Sequence, residues 1–262
     1  MTQKTTPNSQ SLRRAISILR TVANCETDGV RISEIAVENK LHVATCHRLL
    51  KALCDEGLLL FSETKRTYRL GAEVRRLGMC ADRQSGLEHT FQVVLERIAE
   101  QTGDTVFLSV RSSMNAICLA RVEGSYPVRT LVLDIGSVRP LGVGAGSLAL
   151  CAFMDDEKLV DIISSQKKNY STYGLQINDV WELINRTRER GYAVNDGRVI
   201  PEYTGVGVLI PTNVGNEQVA ISVAAVNSRM KPARQAEIAS EICASCDELL
   251  GLRPVIYSGV VE

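Results

Sequence analysis

The amino-acid sequence predicts an α+β protein of two domains: a helical head ending in a two-stranded wing, and a larger body built on an antiparallel sheet. Three observations carry this expectation. The 262 residues are more than one ordinary domain of ~100 to 200 residues needs. Charge is lopsided, with 14 Lys and Arg against 9 Asp and Glu in residues 1–85 and 16 against 21 in the remainder, although the total is zero. The hydrophobic pattern also changes, from helical spacing in the head to a mixture of strand-like runs and helices beyond it. With 45% hydrophobic and 23% charged residues the chain has the composition of a folded protein, which excludes wholesale disorder. No window approaches the ~18 apolar residues of a membrane span, and the polar start Met1 to Arg14 has no secretory pattern. A cytoplasmic protein with no membrane partner is expected. The eight cysteines (25, 46, 54, 80, 118, 151, 243, 246) follow no repeating spacing and read as reduced core residues.

The head is taken as residues 9–71. Leu12, Ala15, Ile16, Leu19, Val22 and Ala23 recur at helical spacing and predict a first helix. After a turn at Thr27, Asp28 and Gly29, Ser33 is the expected N-cap of a short second helix running to about Asn39. Lys40 to His42 form a tight break. In the third helix Cys46, Leu49, Leu50 and Leu53 stand at i, i+3, i+4 and i+7 and form one buried stripe; Ala44, Arg48, Lys51 and Asp55 occupy the opposite face. Gly57 ends this helix, and Leu58 to Ser62 and Thr67 to Leu70 read as two strands joined by Glu63 to Arg66.

This order is that of a winged helix-turn-helix. Such a unit places its third helix in the major groove, where short polar and basic side chains reach base edges, while helix starts and the wing hold phosphates. Double-stranded operator DNA is therefore the expected partner. The residues expected to meet it are Arg31, Ser33, Thr45, His47, Arg48 and Lys51, with Lys65 and Arg66 from the wing. The other reading is a small-molecule-binding enzyme or sensor whose helical head makes protein contacts only.

The run Leu41-His42-Val43-Ala44-Thr45-Cys46-His47-Arg48-Leu49-Leu50-Lys51-Ala52-Leu53, followed by Glu56-Gly57 and Tyr68-Arg69-Leu70-Gly71, resembles the recognition helix and wing of the IclR family of bacterial transcriptional regulators. The resemblance continues through Arg139-Pro140-Leu141, Ala149, Gly191-Tyr192-Ala193-Val194 and Val219 to Val223, nearly the whole chain. His42 stands where that family often has Pro, and Ala44 where it has Ser, so Thr45 must supply any hydroxyl at the helix start. The resemblance implies a GAF-like effector-binding body, a homodimer or homotetramer, and no cofactor.

Residues 72–85 are expected to form a linker helix, because Val74, Leu77, Gly78 and Cys80 alternate with Arg75, Arg76 and Arg83. The effector-binding body is taken as residues 86–255. It begins with a helix from Leu87 to Gln101, in which Leu87, Phe91, Val94, Leu95 and Ile98 share one face. Strand-like runs follow at Thr105 to Val110, Ala116 to Val122, Val128 to Leu133, Gly205 to Ile210 and Val219 to Val226, with helices at Ala145 to Phe153, Asp156 to Ser164, Asp179 to Arg190 and Ala233 to Leu252. Mixed in this way they imply an antiparallel sheet.

The stretch Gly136 to Ser147 carries the clearest ligand chemistry. Gly142, Gly144 and Gly146 lead into the apolar helix of Leu148, Ala149, Leu150 and Phe153, and the free N–H groups of Ala145, Gly146 and Ser147 at such a start can hold a carboxylate. A packing role for these glycines remains open. The spacing is not G-x-G-x-x-G, which argues against a dinucleotide site. By resemblance, the effector site comprises Gly144 to Ser147, Asn195, Asp196, Gly205, Ser222 and Ala224, enclosing a small organic acid or aromatic metabolite. Glyoxylate-responsive members have Cys at the position of Gly205 and Ser at that of Ala224, so a bulkier, less polar acid is implied here. From the residues alone, Asn195-Asp196-Gly197 could equally be a polar turn.

Enzyme readings find little. The three histidines are His42, His47 and His89, which leaves the body without a Ser-His-Asp or Cys-His pair, and no G-x-S-x-G occurs. Cys243-x-x-Cys246 lies within an apolar helix with no second pair, so core cysteines and no metal are expected.

Overall fold

The structure, a computed structural model, describes residues 7–25, 28–127, 132–211 and 217–252, which fall into two compact units, residues 1–84 and 85–262. In the first unit α1 (Pro7–Ala23), α2 (Ile32–Glu38) and α3 (Val43–Asp55) precede an antiparallel hairpin, β1 (Leu59–Ser62) and β2 (Thr67–Leu70), and then α4 (Ala72–Ser85). The α3 stripe of Cys46, Leu49, Leu50 and Leu53 is buried as its spacing requires, against Ile18, Val22, Ile35 and Leu59. In α1, however, Leu12 and Ile16 are exposed, and the helix buries its Ile18 and Val22 side. Both sides of α1 carry apolar residues at helical spacing, so periodicity alone did not choose between them.

The start of α2 also differs from expectation. Ser33 lies inside the helix and Arg31 is the N-cap, its backbone N–H donating to the Glu34 carboxylate at 2.8 Å. The cause is the preceding residue: Val30 is drawn into an antiparallel bridge with Tyr68, which holds the chain extended until Arg31. The turn to α3 passes through Lys40 at φ +52°, and Asn39 Nδ2 ties it to Thr21 Oγ1 at 3.0 Å. The linker residues are helical in α4, none of them buried, with Arg76 paired to Glu73.

The second unit runs α5 (Leu87–Thr102), β3 (Thr105–Ser112), β4 (Asn115–Val122), β5 (Val138–Pro140), α6 (Ala145–Ala152), α7 (Asp156–Ser165), α8 (Lys167–Ser171), α9 (Ile177–Arg190), β6 (Ala193–Asp196), β7 (Tyr203–Ile210), β8 (Val219–Val226) and α10 (Pro232–Leu250). Its six strands form one antiparallel sheet in the order β5-β4-β3-β8-β7-β6. β5 and β6 are new; three or four residues are too few to show a period. Of the strand expected over Val128 to Leu133, residues 128–131 lie outside the described residues, and Val132 and Leu133 belong to no strand.

Strand alternation gives the sheet two unlike faces. Val106, Leu108, Val206, Val208, Val219, Ile221 and Val223 point to a core shared with α5 and α10. The opposite face, which meets α6, carries Phe107, Ser109, Gly205, Gly207, Ser222 and Ala224, with Phe107 and Gly207 both in register with Ser222. Small residues in the middle of a sheet sacrifice packing, and their use here is to admit α6. A Cβ on Gly207 would lie 2.5 Å from the Ala145 carbonyl oxygen and 3.0 Å from the Gly146 nitrogen, and neither backbone group can rotate away. Gly207→Ala is therefore expected to destabilise the protein by about 3 kcal/mol, roughly 10 °C in melting temperature for a domain of this size. Gly78→Ala, at an open helical position of α4, is the control and should melt no lower than wild type. Equal melting of Gly207→Ala and wild type would mean that β7 does not press on α6.

Candidate functional site

In the first unit the expected DNA residues occupy one structural neighbourhood. His47, Arg48 and Lys51 are exposed on α3, and Thr45 is half-buried in its first turn. No ion pair engages Arg48 or Lys51 among the described residues. His42 caps α3 through its extended backbone, and the first-turn N–H groups of Val43, Ala44 and Thr45 have no acceptor among the described residues, so they remain free for a phosphate. Arg31 and Ser33 are exposed at the start of α2.

His47, Lys51 and Arg66 line one groove together with Ile32, Cys54, Phe61 and Tyr68, so recognition helix and wing present a continuous surface. Arg66 takes φ +56° at the wing tip, with its guanidinium 6.0 Å from the Phe61 ring centre. Lys65 is already engaged: its Nζ lies 2.5 Å from the exposed Asp28 carboxylate, and this contact holds the Asp28 carboxyl below its usual range. A phosphate must compete with Asp28 for it.

In the second unit the turn before α6 opens onto a narrow cavity. The turn is shaped by Gly142 and Gly144, at φ +91° and +86°, a conformation in which any side chain is strained. It is pinned from both sides. The fully buried Tyr170 donates to the Leu141 carbonyl at 2.8 Å, and Ser147 Oγ donates to the Pro140 carbonyl at 2.7 Å. Burial raises the Tyr170 phenol above its usual range, so it remains a donor. The N–H groups of Ala145, Gly146 and Ser147 have no acceptor among the described residues, while that of Leu148 already bonds to the Gly144 carbonyl. They give the cavity a fixed positive end.

Of the residues expected around the effector, Gly144, Ala145, Gly146, Ser147, Asn195, Gly205, Ser222 and Ala224 all line this cavity. Asp196 does not. It is exposed one residue further along β6, accepts a hydrogen bond from Thr204 Oγ1 at 3.3 Å, and borders a separate surface groove with Arg190 and Arg198. Alternation on a strand sends neighbours to opposite faces, so Asn195 and Asp196 could not both enter. The hydroxyl proton of Ser147 is taken by the Pro140 carbonyl, which leaves only its N–H to donate to a ligand.

Sequence reasoning missed much of the wall, including Phe107, Ser109, Cys118, Val132, Leu133, Arg139 and Tyr203. Phe107, Cys118 and Ala224 form an apolar cluster extended by Val132 and Leu133. Burial pushes the Cys118 thiol up to about 11, so it faces the cavity as a neutral group. A close reading of alternation could have found Phe107 and Ser109, which share a face of β3. Arg139 lies in the run Arg139-Pro140-Leu141 and in the glycine-rich stretch, but neither pattern marks it as a wall residue. Cys243 and Cys246 pack from α10 into the core, and burial pushes their thiols up to about 11 and about 12.

The chain matches two family models, the IclR helix-turn-helix domain over residues 11–63 and the bacterial transcriptional regulator IclR C-terminal domain over residues 73–249. It is 30% identical over 189 residues to the glycerol operon regulatory protein of Streptomyces coelicolor, covering 72% of this chain and 73% of the relative. It is 24% identical over 248 residues to the transcriptional regulator BhcR of Paracoccus denitrificans, covering 94% and 88%. The fold is shared with an IclR transcriptional regulator from Alicyclobacillus acidocaldarius (TM-score 0.74, 20% identity, 92% and 98% covered). It is shared also with an IclR homolog from Microbacterium hydrocarbonoxydans crystallised with 4-hydroxybenzoate (TM-score 0.71, 19% identity, 92% and 99% covered).

Proposed function

The chain belongs to the IclR family of bacterial transcriptional regulators, and from that premise we propose that its DNA affinity is set by a small organic acid held in the cavity before α6. One observation carries the ligand half of this reading: three unclaimed N–H groups at a helix start open onto a cavity whose described lining contains no acidic side chain. The Microbacterium homolog holding 4-hydroxybenzoate supports an aromatic monocarboxylate as the first compound to try. The apolar cluster of Phe107, Cys118 and Ala224 supports a ligand larger than a two-carbon acid.

The DNA half rests on Arg48, Lys51 and His47, with the first-turn N–H groups and the wing holding phosphates. A homodimer or homotetramer reading an inverted repeat suits a single recognition helix, which spans only a few base pairs. None of the three histidines lines the cavity, which supports a binding role over catalysis in a cytoplasmic regulator. The test is retention of the full chain on mixed genomic DNA fragments between about 50 and 200 mM salt, where several phosphate contacts make affinity fall steeply. A chain that holds no DNA at the lowest salt would favour the rival, a sensor whose head makes protein contacts only.

A further inference from the structure

Arginine side chains in the second unit follow a rule with one exception. Among its described residues, the half-buried arginines are Arg97, Arg121, Arg139, Arg188, Arg229 and Arg234. Arg97 meets Glu248, Arg121 meets Asp134 and Glu123, Arg188 meets Asp156, and Arg229 and Arg234 share the buried Asp104. Arg139 meets no carboxylate among the described residues, and its guanidinium donates to the Val132 carbonyl. Burial works against its charged form and lowers its pKa, and the groups opposing that shift are Tyr173 and Cys118, neither of them an acid residue. Arginine nevertheless stays charged in proteins, so Arg139 is a half-buried cation with no carboxylate partner among the described residues.

Its location gives that cation a use. Arg139 stands on the edge strand β5 opposite Ala116, lines the cavity, and is the one formally charged side chain in the described lining. Its Nη1 lies 2.9 Å from where a Cβ on Gly144 would be, so the glycine that ends the turn also makes room for the guanidinium. A second feature marks the same cavity as built for a polar ligand. Ser109 and Ser222, 3% and 7% exposed, both line it, and neither hydroxyl has a hydrogen-bond partner among the described residues. Both hydroxyls open onto the cavity and are available to hydrogen-bond to what fills it.

We propose that Arg139 is the anion-reading residue of the cavity, pairing with the carboxylate of a monocarboxylic acid whose apolar body lies against Phe107, Cys118 and Ala224. One guanidinium neutralises one carboxylate, so dicarboxylates are disfavoured, and a planar fork matches a carboxylate through two parallel N–H···O bonds. The N–H groups of Ala145 and Gly146 add to the same field. This rests on the effector reading given above and specifies its chemistry.

The experiment uses the full chain and a defined panel: acetate, butyrate, hexanoate, benzoate, 4-hydroxybenzoate and cinnamate, each beside its neutral amide, and succinate. Melting temperature and calorimetric affinity are read for wild type, Arg139→Met and Arg139→Lys. Acids with an apolar body should raise the wild-type melting temperature while their amides and succinate do not. Arg139→Met should lower the acid affinity at least thirtyfold, and without ligand it should melt no lower than wild type, because an unpaired cation has been removed. Arg139→Lys, which keeps the charge but not the fork, should lose about three- to tenfold. Acids binding Arg139→Met as tightly as wild type would overturn the proposal. So would a ligand-free Arg139→Met that melts well below wild type, since Arg139 would then be a structural donor to Val132. Neutral compounds that bind wild type and Arg139→Met alike, yet not Gly146→Val, would leave the effector cavity standing and remove only Arg139. If no acid or amide changes melting or DNA binding, the effector reading falls with the proposal.

Discussion

Gly146→Val is expected to weaken effector binding at least about a hundredfold, equivalent to ~2.7 kcal/mol, while leaving DNA binding intact. Gly146 is in ordinary helical conformation, so valine brings no positive-φ strain, and valine is the better helix former of the two. The added Cβ would stand 3.1 Å from Ser222 Oγ and 3.3 Å from Ser109 Oγ, contacts that rotating hydroxyls can relieve. The branched methyls would then fill the space in front of the free N–H groups. The loss is thus one of room and of electrostatic access, and an uncharged amide analogue should lose affinity for wild type for the same electrostatic reason. The measurement is titration of the acid found by screening into wild type and variant, each with and without operator DNA. Because coupling is reciprocal, an acid that changes operator affinity by some factor must have its own affinity changed equally by operator. Equal affinity for wild type and Gly146→Val would make the glycine turn a packing device and send the effector elsewhere.

Arg48→Ala should weaken binding to the chain's own operator at least tenfold, with helix content and melting temperature unchanged. Arg48 is exposed on α3, carries no ion pair among the described residues and supports no core contact, so its removal costs the fold little. A good bidentate arginine–base pair contributes ~1 to 3 kcal/mol of discrimination, which spans roughly fivefold to over a hundredfold. Lys65→Ala provides the contrast. Its ammonium contacts Asp28, and its proposed role is to hold a phosphate, so its loss should weaken all sequences alike and lower the salt slope by about one. A tenfold loss restricted to the cognate sequence identifies base reading, whereas an Arg48→Ala protein that binds operator like wild type removes Arg48 from the reading face. Footprints on selected DNA should show two half-sites about one helical turn apart.

The head was legible residue by residue. The stripe of Cys46, Leu49, Leu50 and Leu53, the ending at Gly57 and the two wing strands all follow from local spacing, because a short helix packed on one side leaves its burial pattern in the sequence. The departures there have causes that local spacing cannot show. Ser33 lost the N-cap to Arg31 because a bridge from Val30 to Tyr68, 38 residues away in sequence, decides where α2 can begin. Leu12 and Ile16 share the helical spacing yet lie exposed, because α1 is apolar on two sides and only its packing against the rest of the unit selects one.

For the body, the sequence by itself determined the family, the alternation of sheet and helices, and the glycine turn whose N–H groups face the cavity. These are local properties: propensity, period, and the positive φ that Gly142 and Gly144 allow. The tertiary structure alone decided which residues share the cavity. Its wall is assembled across strand pairings such as Phe107 with Ser222, Asn195 with Gly205 and Ala116 with Arg139, which join positions 115, 10 and 23 residues apart. It placed Asn195 inside and Asp196 outside, because neighbours on a strand point to opposite faces. It also left Arg139 without an acid, a fact no spacing can reveal, since a missing counter-ion is a property of the folded neighbourhood and not of the chain.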